Sequence, residues 1–152
     1  TGMRLAEAAG LAKEDIRLDA EIPHLVIQPQ PWRSLKTKGS SRLIPLVGQS
    51  LWAAKQVLND GDNTTQFAFP RYTNHQSCNA GSASATLNKW LHKNFPGDYV
   101  IHSFRHSFRD RLRAIQCPSD VIDQLGGWSN KSVGEGYGEG YSLHILRGWL
   151  VK

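Results

Sequence analysis

Apolar residues recur at helical intervals in several stretches of this chain and at alternate positions in others. Phe104, Phe108, Leu112 and Ile115 fall at i, i+4, i+8 and i+11, which marks one buried face of an α-helix. Cys117-Pro118 ends that pattern, because proline cannot continue the hydrogen-bond ladder. "SLWAAKQVLND", 50–60, carries Leu51, Ala54, Val57 and Leu58 on one side and reads as a helix. "ASATLNKWLHKNF", 83–95, is amphipathic and stops at Pro96-Gly97. The chain opens on a helix over residues 1–9, with Thr1 or Gly2 near its cap and Gly10 as its stop. Ser119 is expected to cap a short helix running to Leu125, broken by Gly126-Gly127. "YSLHILRGWLVK" closes the chain as a helix, with Leu143, Leu146 and Leu150 on one side and Ile145 and Trp149 beside them. Residues 16–27 include "HLVIQ", a strand, and "RLIPLV", 42–47, is a second; "SLKTKGSS" between them is a polar turn or hairpin tip. "DGDNTTQ" is a loop, and "NKSVGEGYGEG" is glycine-rich, irregular or a frayed helix. No repeat or internal linker interrupts this order. The expectation is one α+β domain over residues 1–152, mainly helical, with a small antiparallel hairpin.

Composition narrows what such a domain does. A chain of 152 residues with 39% hydrophobic content is long enough for a real core. Lys and Arg total 18 against 13 Asp and Glu, an excess that suits nucleic acid. Cys78 and Cys117 have no metal-ligand spacing and suggest no disulfide framework, so a reducing cytosol is expected. No apolar run approaches the ~20 residues of a membrane span. The helical pattern already under way at residue 1 suggests a fragment of a longer protein.

The densest chemistry lies in "IHSFRHSFRDRLR", 101–113. His102 and Arg105 are three apart in the opening turn, so they share a side of the helix. A helix start also presents free N–H groups and a partial positive charge. An imidazole, a guanidinium and a helix start aimed at one point suit an anionic oxygen, above all a phosphate. A solvated basic face with His102 as a cap is the plainer alternative.

Four stretches in order resemble the catalytic domain of the tyrosine recombinases, the phage integrases and their relatives. "TGMRLAEAAGL" resembles the family's first box, with Arg after Thr-Gly and Glu three later. "LKTKGSSRLIPL" resembles its β-hairpin, and "HSFRHSF" its His-x-x-Arg-His box. "QLGGWSNKSVGEGYGEGY" resembles the last, a Leu-Gly-His/Trp turn followed by a tyrosine. The resemblance covers essentially the whole chain and implies that family's fold.

The resemblance also assigns roles. Arg4 and Arg105 match the two arginines that hold the non-bridging oxygens of a scissile phosphate. Glu7 matches an acidic position that orients a catalytic side chain. His102 matches the histidine that accepts or relays the attacking tyrosine's proton. Lys36 matches the hairpin lysine that protonates the departing 5′ oxygen, with Lys38 kept open as its replacement. Lys38, Arg42 and His106 are assigned to DNA contact. Trp128 stands where most relatives carry His; an indole offers one N–H and cannot shuttle protons. Tyr137, nine residues after Trp128, is the nucleophile, and Tyr141, at thirteen, is expected to cap or pack the final helix.

The function implied is cleavage and rejoining of double-stranded DNA through a 3′-phosphotyrosine, as in integration or excision of a mobile element. No metal or other cofactor is implied. The alternatives are a type IB topoisomerase-like nicking and closing enzyme, or a catalytically silent DNA-binding module. The resemblance further implies a homo-tetramer on DNA, an amino-terminal DNA-clamping domain missing here, and a bacterial cytoplasm, with phage or prophage origin. The final helix is expected to pack in trans in that tetramer, a plain core helix being the alternative.

Overall fold

The computed structural model describes residues 1–37, 40–59, 64–128 and 140–152. The first helix, α1, spans only Leu5–Ala9 and starts from Arg4, whose N–H donates to the Glu7 carboxylate at 2.9 Å. The expected start at Thr1 or Gly2 is displaced by two residues or more. Gly2 has φ +64°, outside the helical region, and a Cβ there would sit 2.4 Å from the Phe108 ring.

Three short strands follow: β1 (Ile16–Arg17), β2 (His24–Ile27) and β3 (Arg42–Pro45). They form an antiparallel sheet in the order β1-β2-β3, with Leu25 opposite both Ile16 and Ile44. The alternation of β2 buries Leu25 and Ile27 on one face. Helix α2 (Gly48–Asn59) covers that face, and Leu11, Ile16, Leu25, Ile27, Ile44, Leu46 and Ala54 make a first core. Each such side chain stabilises the fold by roughly 1.5–3 kcal/mol when fully buried.

Helix α3 (Ala80–Asn94) begins earlier than expected because the Asn79 side chain accepts the Ser82 N–H at 2.9 Å. Helix α4 (Ser103–Ala114) corrects the sequence reading in a second way. Its buried line runs through Arg105, Phe108 and Leu112, whereas Phe104 is 63% exposed. Phe104 instead lines a cavity of about 350 Å³ with Leu91, Phe95, Tyr99 and Val100. Apolar spacing locates a face within about one residue; it does not say which flank the neighbouring elements cover.

Helix α5 (Ser119–Gly126) has Pro118 rather than Ser119 at its cap and ends in Gly127. Gly127 has φ +62°, and the Trp128 N–H returns to the Asp123 carbonyl, closing the helix end. Helix α6 (Leu143–Leu150) packs on its own domain over β3. Leu146, 1% exposed, joins Leu112, Cys117, Val121, Ile122 and Leu125 in a second core. Packing of α6 against its own chain is the arrangement present here.

Candidate active site

The start of α1, the start of α4 and the end of α5 meet between the two cores, and charge is concentrated there. Glu7 is the hub. Its carboxylate, 2% exposed, takes Arg42 Nη2 at 2.8 Å, Arg42 Nη1 at 3.3 Å and Arg4 Nη1 at 3.2 Å. Burial works to raise the Glu7 pKa, but the hydrogen bonds and charges of Arg42 and Arg4 together hold it below the ordinary carboxylate value.

Arg42 was assigned to DNA contact from the sequence; the structure corrects this. The side chain is buried, with Nε on the Leu125 carbonyl at 3.0 Å and Nη1 on that of Ser40 at 2.7 Å, besides Glu7. Its donors are committed inside the protein, so it welds β3 to α1 and α5. A strand position that looked solvent-facing in sequence is covered by the end of α5. A Cβ at Gly127 would lie 2.4 Å from Arg42 Nη1, which makes glycine a requirement there.

Arg4 keeps one face open. Its Nη1 also reaches the Gly127 carbonyl at 3.4 Å, and the side chain is one-quarter exposed. Arg105 lies deeper, 5% exposed, and Nη1 donates to the Gly2 carbonyl in a short hydrogen bond. Its Nη2 is buried with no partner among the described residues. Burial, and then the charge of Arg4, draws the Arg105 pKa down from the ordinary guanidinium value to about 10. Buried polar groups are nearly always hydrogen-bonded, so this donor on a charged group beside a second arginine is one that an anionic oxygen could satisfy.

Trp128 forms the wall of this site. Its ring centroid is 4.1 Å from the Arg105 guanidinium carbon and 4.9 Å from that of Arg109, with Arg109 Nη2 also bound to Asp123 at 3.2 Å. A Cβ at Gly126 would fall 1.7 Å from the indole, so the Gly-Gly pair makes room for both the ring and Arg42. Trp128 thus packs on the second core while its ring meets the guanidiniums of Arg105 and Arg109.

His102 sits at the open end of the same cluster, at the cap position of α4. Partial desolvation, followed by the charges of His106, Arg105 and Arg4, lowers its pKa below 6.5. The imidazole is thus biased toward its neutral, proton-accepting form. His106 is exposed, with its ring centroid 5.1 Å from that of His102. Lys36 is exposed in the β2–β3 connection. Lys38 and Tyr137 lie outside the described residues.

Tyr141 is held elsewhere. Its hydroxyl donates to Asp120 in a short hydrogen bond, its N–H to Gln124 Oε1 at 2.8 Å, and its carbonyl accepts from Gln124 Nε2 at 3.0 Å. The bond to the Asp120 carboxylate raises the phenol's pKa, which opposes formation of a phenolate. That fits the packing role expected of it.

Sequence reasoning missed a second buried ion pair, Arg33 with Asp15 at 3.3 Å. Arg33 also donates to the carbonyls of Glu7, Gly10 and Gln28 at 3.1, 3.0 and 2.7 Å. It ties the base of the Lys36-bearing connection to α1. A single Arg between Trp32 and Ser34 gives no sequence signal for this. Among the described residues, no cluster of His, Cys, Asp and Glu could hold a metal ion, and no helix is long and apolar enough to cross a membrane.

The model of the phage integrase family matches residues 1–140. No curated protein gives a match. Among solved structures, a portion of the Tn1549 transposon integrase in complex with circular intermediate DNA superimposes with a TM-score of 0.60. It is 20% identical, and the match covers 99% of this chain and 56% of that one. A second structure of that integrase, with transposon right end DNA, gives 0.59 at 18% identity, covering 99% and 55%. XerA recombinase gives 0.59 at 18% identity, covering 99% and 53%. This chain therefore spans about half the length of those structures, and at such identities the likeness shows the shared catalytic-domain fold. With four ordered boxes, that fold and a family match over nearly its whole length, the chain belongs to the phage integrase family of tyrosine recombinases.

Proposed function

We propose that this domain cleaves and rejoins duplex DNA at specific sites through a 3′-phosphotyrosine, in recombination of a mobile element. The observation that carries this reading is Arg105: buried, charged, one donor unpartnered among the described residues, and beside Arg4. A phosphate seated between them relieves the repulsion and fills the empty donor. Arginine suits the task because it stays charged and presents a planar fork. DNA is the bound partner in the Tn1549 integrase structures, and a basic chain of pI about 9.4 suits the same ligand.

In the reaction, the Tyr137 phenol oxygen attacks the phosphorus and its proton passes to His102. Arg4 and Arg105 stabilise the charge gathered on the non-bridging oxygens. The bond to the 5′ oxygen breaks, and Lys36, or Lys38 in its place, supplies the proton to that oxygen. Attack by a 5′ hydroxyl of the partner strand reverses each step. The phosphotyrosine conserves the bond, so the cycle consumes no nucleotide. Glu7 contributes by fixing Arg4, and Trp128 by holding the plane of Arg105. Assembly as a homo-tetramer on DNA, in a bacterial cytoplasm, belongs to the same proposal.

The test is covalent trapping on a randomised library of nicked duplexes. The unsubstituted protein and Tyr141→Phe form a protein–DNA adduct, and Tyr137→Phe does not while still binding DNA. An adduct that survives Tyr137→Phe and is lost in Tyr141→Phe refutes the nucleophile. Products joined from two duplexes, rather than one closed nick, distinguish recombination from a topoisomerase-like activity.

A further inference from the structure

His106 stands one helical turn after His102, and the spacing of four on α4 stacks their side chains on one side of the helix. The imidazoles meet edge to face, 5.1 Å between centroids, with planes 76° apart. Both side chains are exposed, so water and an arriving phosphate reach the pair directly. The charges acting on His102 are those of His106, Arg105 and Arg4, while Asp110, one turn beyond His106 on α4, lies 4.0 Å from Arg113. Glu7, the carboxylate behind them, is committed to Arg42 and Arg4, and Asp123 of α5 is bonded to Arg109. Trp128, which covers Arg105 and Arg109, carries no charge.

We infer that His106 is a positioning residue for His102: its ring, set edge to face one helical turn away, fixes the plane of the His102 ring and keeps its open edge toward the incoming phosphate. The inference rests on the reading of His102 as the acceptor of the tyrosine proton. An acceptor must be empty when the phenol attacks. The incoming phosphate works against this, because negative charge draws protons onto nearby imidazoles. Two imidazoles in contact titrate as a unit, and a proton on one opposes a proton on the other. The lowered proton affinity of His102, to which His106 contributes after desolvation, agrees with this geometry. The role differs from a plain phosphate contact, which would act on DNA affinity alone.

Imidazole NMR titration of the protein, with and without His106→Phe and His106→Ala, reads the coupling directly. Both substitutions move the His102 midpoint upward, and His106→Phe alone keeps a single His102 ring orientation, because it retains the flat contact without the proton. In adduct formation followed against pH, both variants shift the acid limb upward. On the alkaline plateau His106→Phe is faster than His106→Ala, because the retained ring still orients His102. An unchanged His102 titration in both variants, together with weaker DNA binding, overturns the inference in favour of a phosphate contact. The two failures separate: a coupled titration in a protein that forms no adduct at any pH overturns the recombinase reading, and with it the role given to the pair.

Discussion

Replacing Glu7 by Gln deletes one negative charge while keeping the shape of the side chain. The effect follows from what remains. Both carboxylate oxygens serve Arg42, at 2.8 and 3.3 Å, and the two side chains are each only 3% exposed. Without the carboxylate, the Arg42 guanidinium stays charged in the interior, close to Arg4 and Arg105. Removing one partner of a buried pair costs about 3–5 kcal/mol. The amide oxygen still accepts a hydrogen bond, so the lower end, ~3 kcal/mol, is expected. For a domain of this size each kcal/mol moves the Tm by about 2–4 °C, giving a fall of roughly 6–12 °C. Thermal and urea unfolding followed by circular dichroism at pH 7 measure it. The double variant Glu7→Gln/Arg42→Gln should lose less than the sum of the single losses. The pH dependence has a definite sign. The folded pKa of Glu7 lies below its unfolded value. Its contribution is therefore complete above the unfolded pKa and is lost as pH falls through the folded one. The gap between the two proteins should be widest near neutrality and close in acid. A loss below about 1 kcal/mol, the range of an exposed pair, would refute the buried hub.

Gly127→Ala combines a left-handed φ with a Cβ 2.4 Å from Arg42 Nη1 and should destabilise by about 1–3 kcal/mol; an unchanged urea midpoint would mean that Arg42 steps aside freely. Leu146→Ala should cost about 2–5 kcal/mol, since the side chain is buried in the second core; a cost near zero in the same unfolding assay would mean that α6 is not docked in solution. Lys36→Ala should slow cleavage of ordinary DNA far more than of DNA with sulfur at the 5′ leaving position, which departs without a proton. Arg4→Ala and Arg105→Ala should be slow on both substrates, each by roughly 3 kcal/mol of barrier. Equal slowing of Lys36→Ala on both substrates removes it as the proton donor and turns the test to Lys38.

Much of the architecture was legible because period and punctuation agree. The helical spacings, the "HLVIQ" and "RLIPLV" strands and the Gly126-Gly127 break lead to α2 through α6 and the small sheet. The order of Arg4, His102, Arg105 and Trp128 in their boxes anticipated a cluster that packing does bring together. What was not legible depends on partners far along the chain. Arg42 reads as a basic strand residue until Glu7 and the Leu125 carbonyl, 35 and 83 positions away, enclose it. Phe104 shares the spacing of Phe108 and Leu112, but burial favours the Arg105 flank. Arg33 and Asp15 carry no local sign of their pairing. The start of α1 moves to Arg4 because the ring of Phe108 occupies the space beside Gly2, a contact across 106 positions.

The fixing of Tyr141 also decides how load travels through the molecule. Its N–H and carbonyl grip Gln124 while its hydroxyl grips Asp120, so the bonds lie side by side and share any pull on α6. Three hydrogen bonds at Tyr141 thus add to the packing of Leu146 in holding α6 to its own domain. From α5 the route continues through the Leu125 carbonyl to Arg42 and through the Gly127 carbonyl to Arg4. The start of α6 is thus tied to the same helix whose end supplies the carbonyls that hold Arg42 and Arg4.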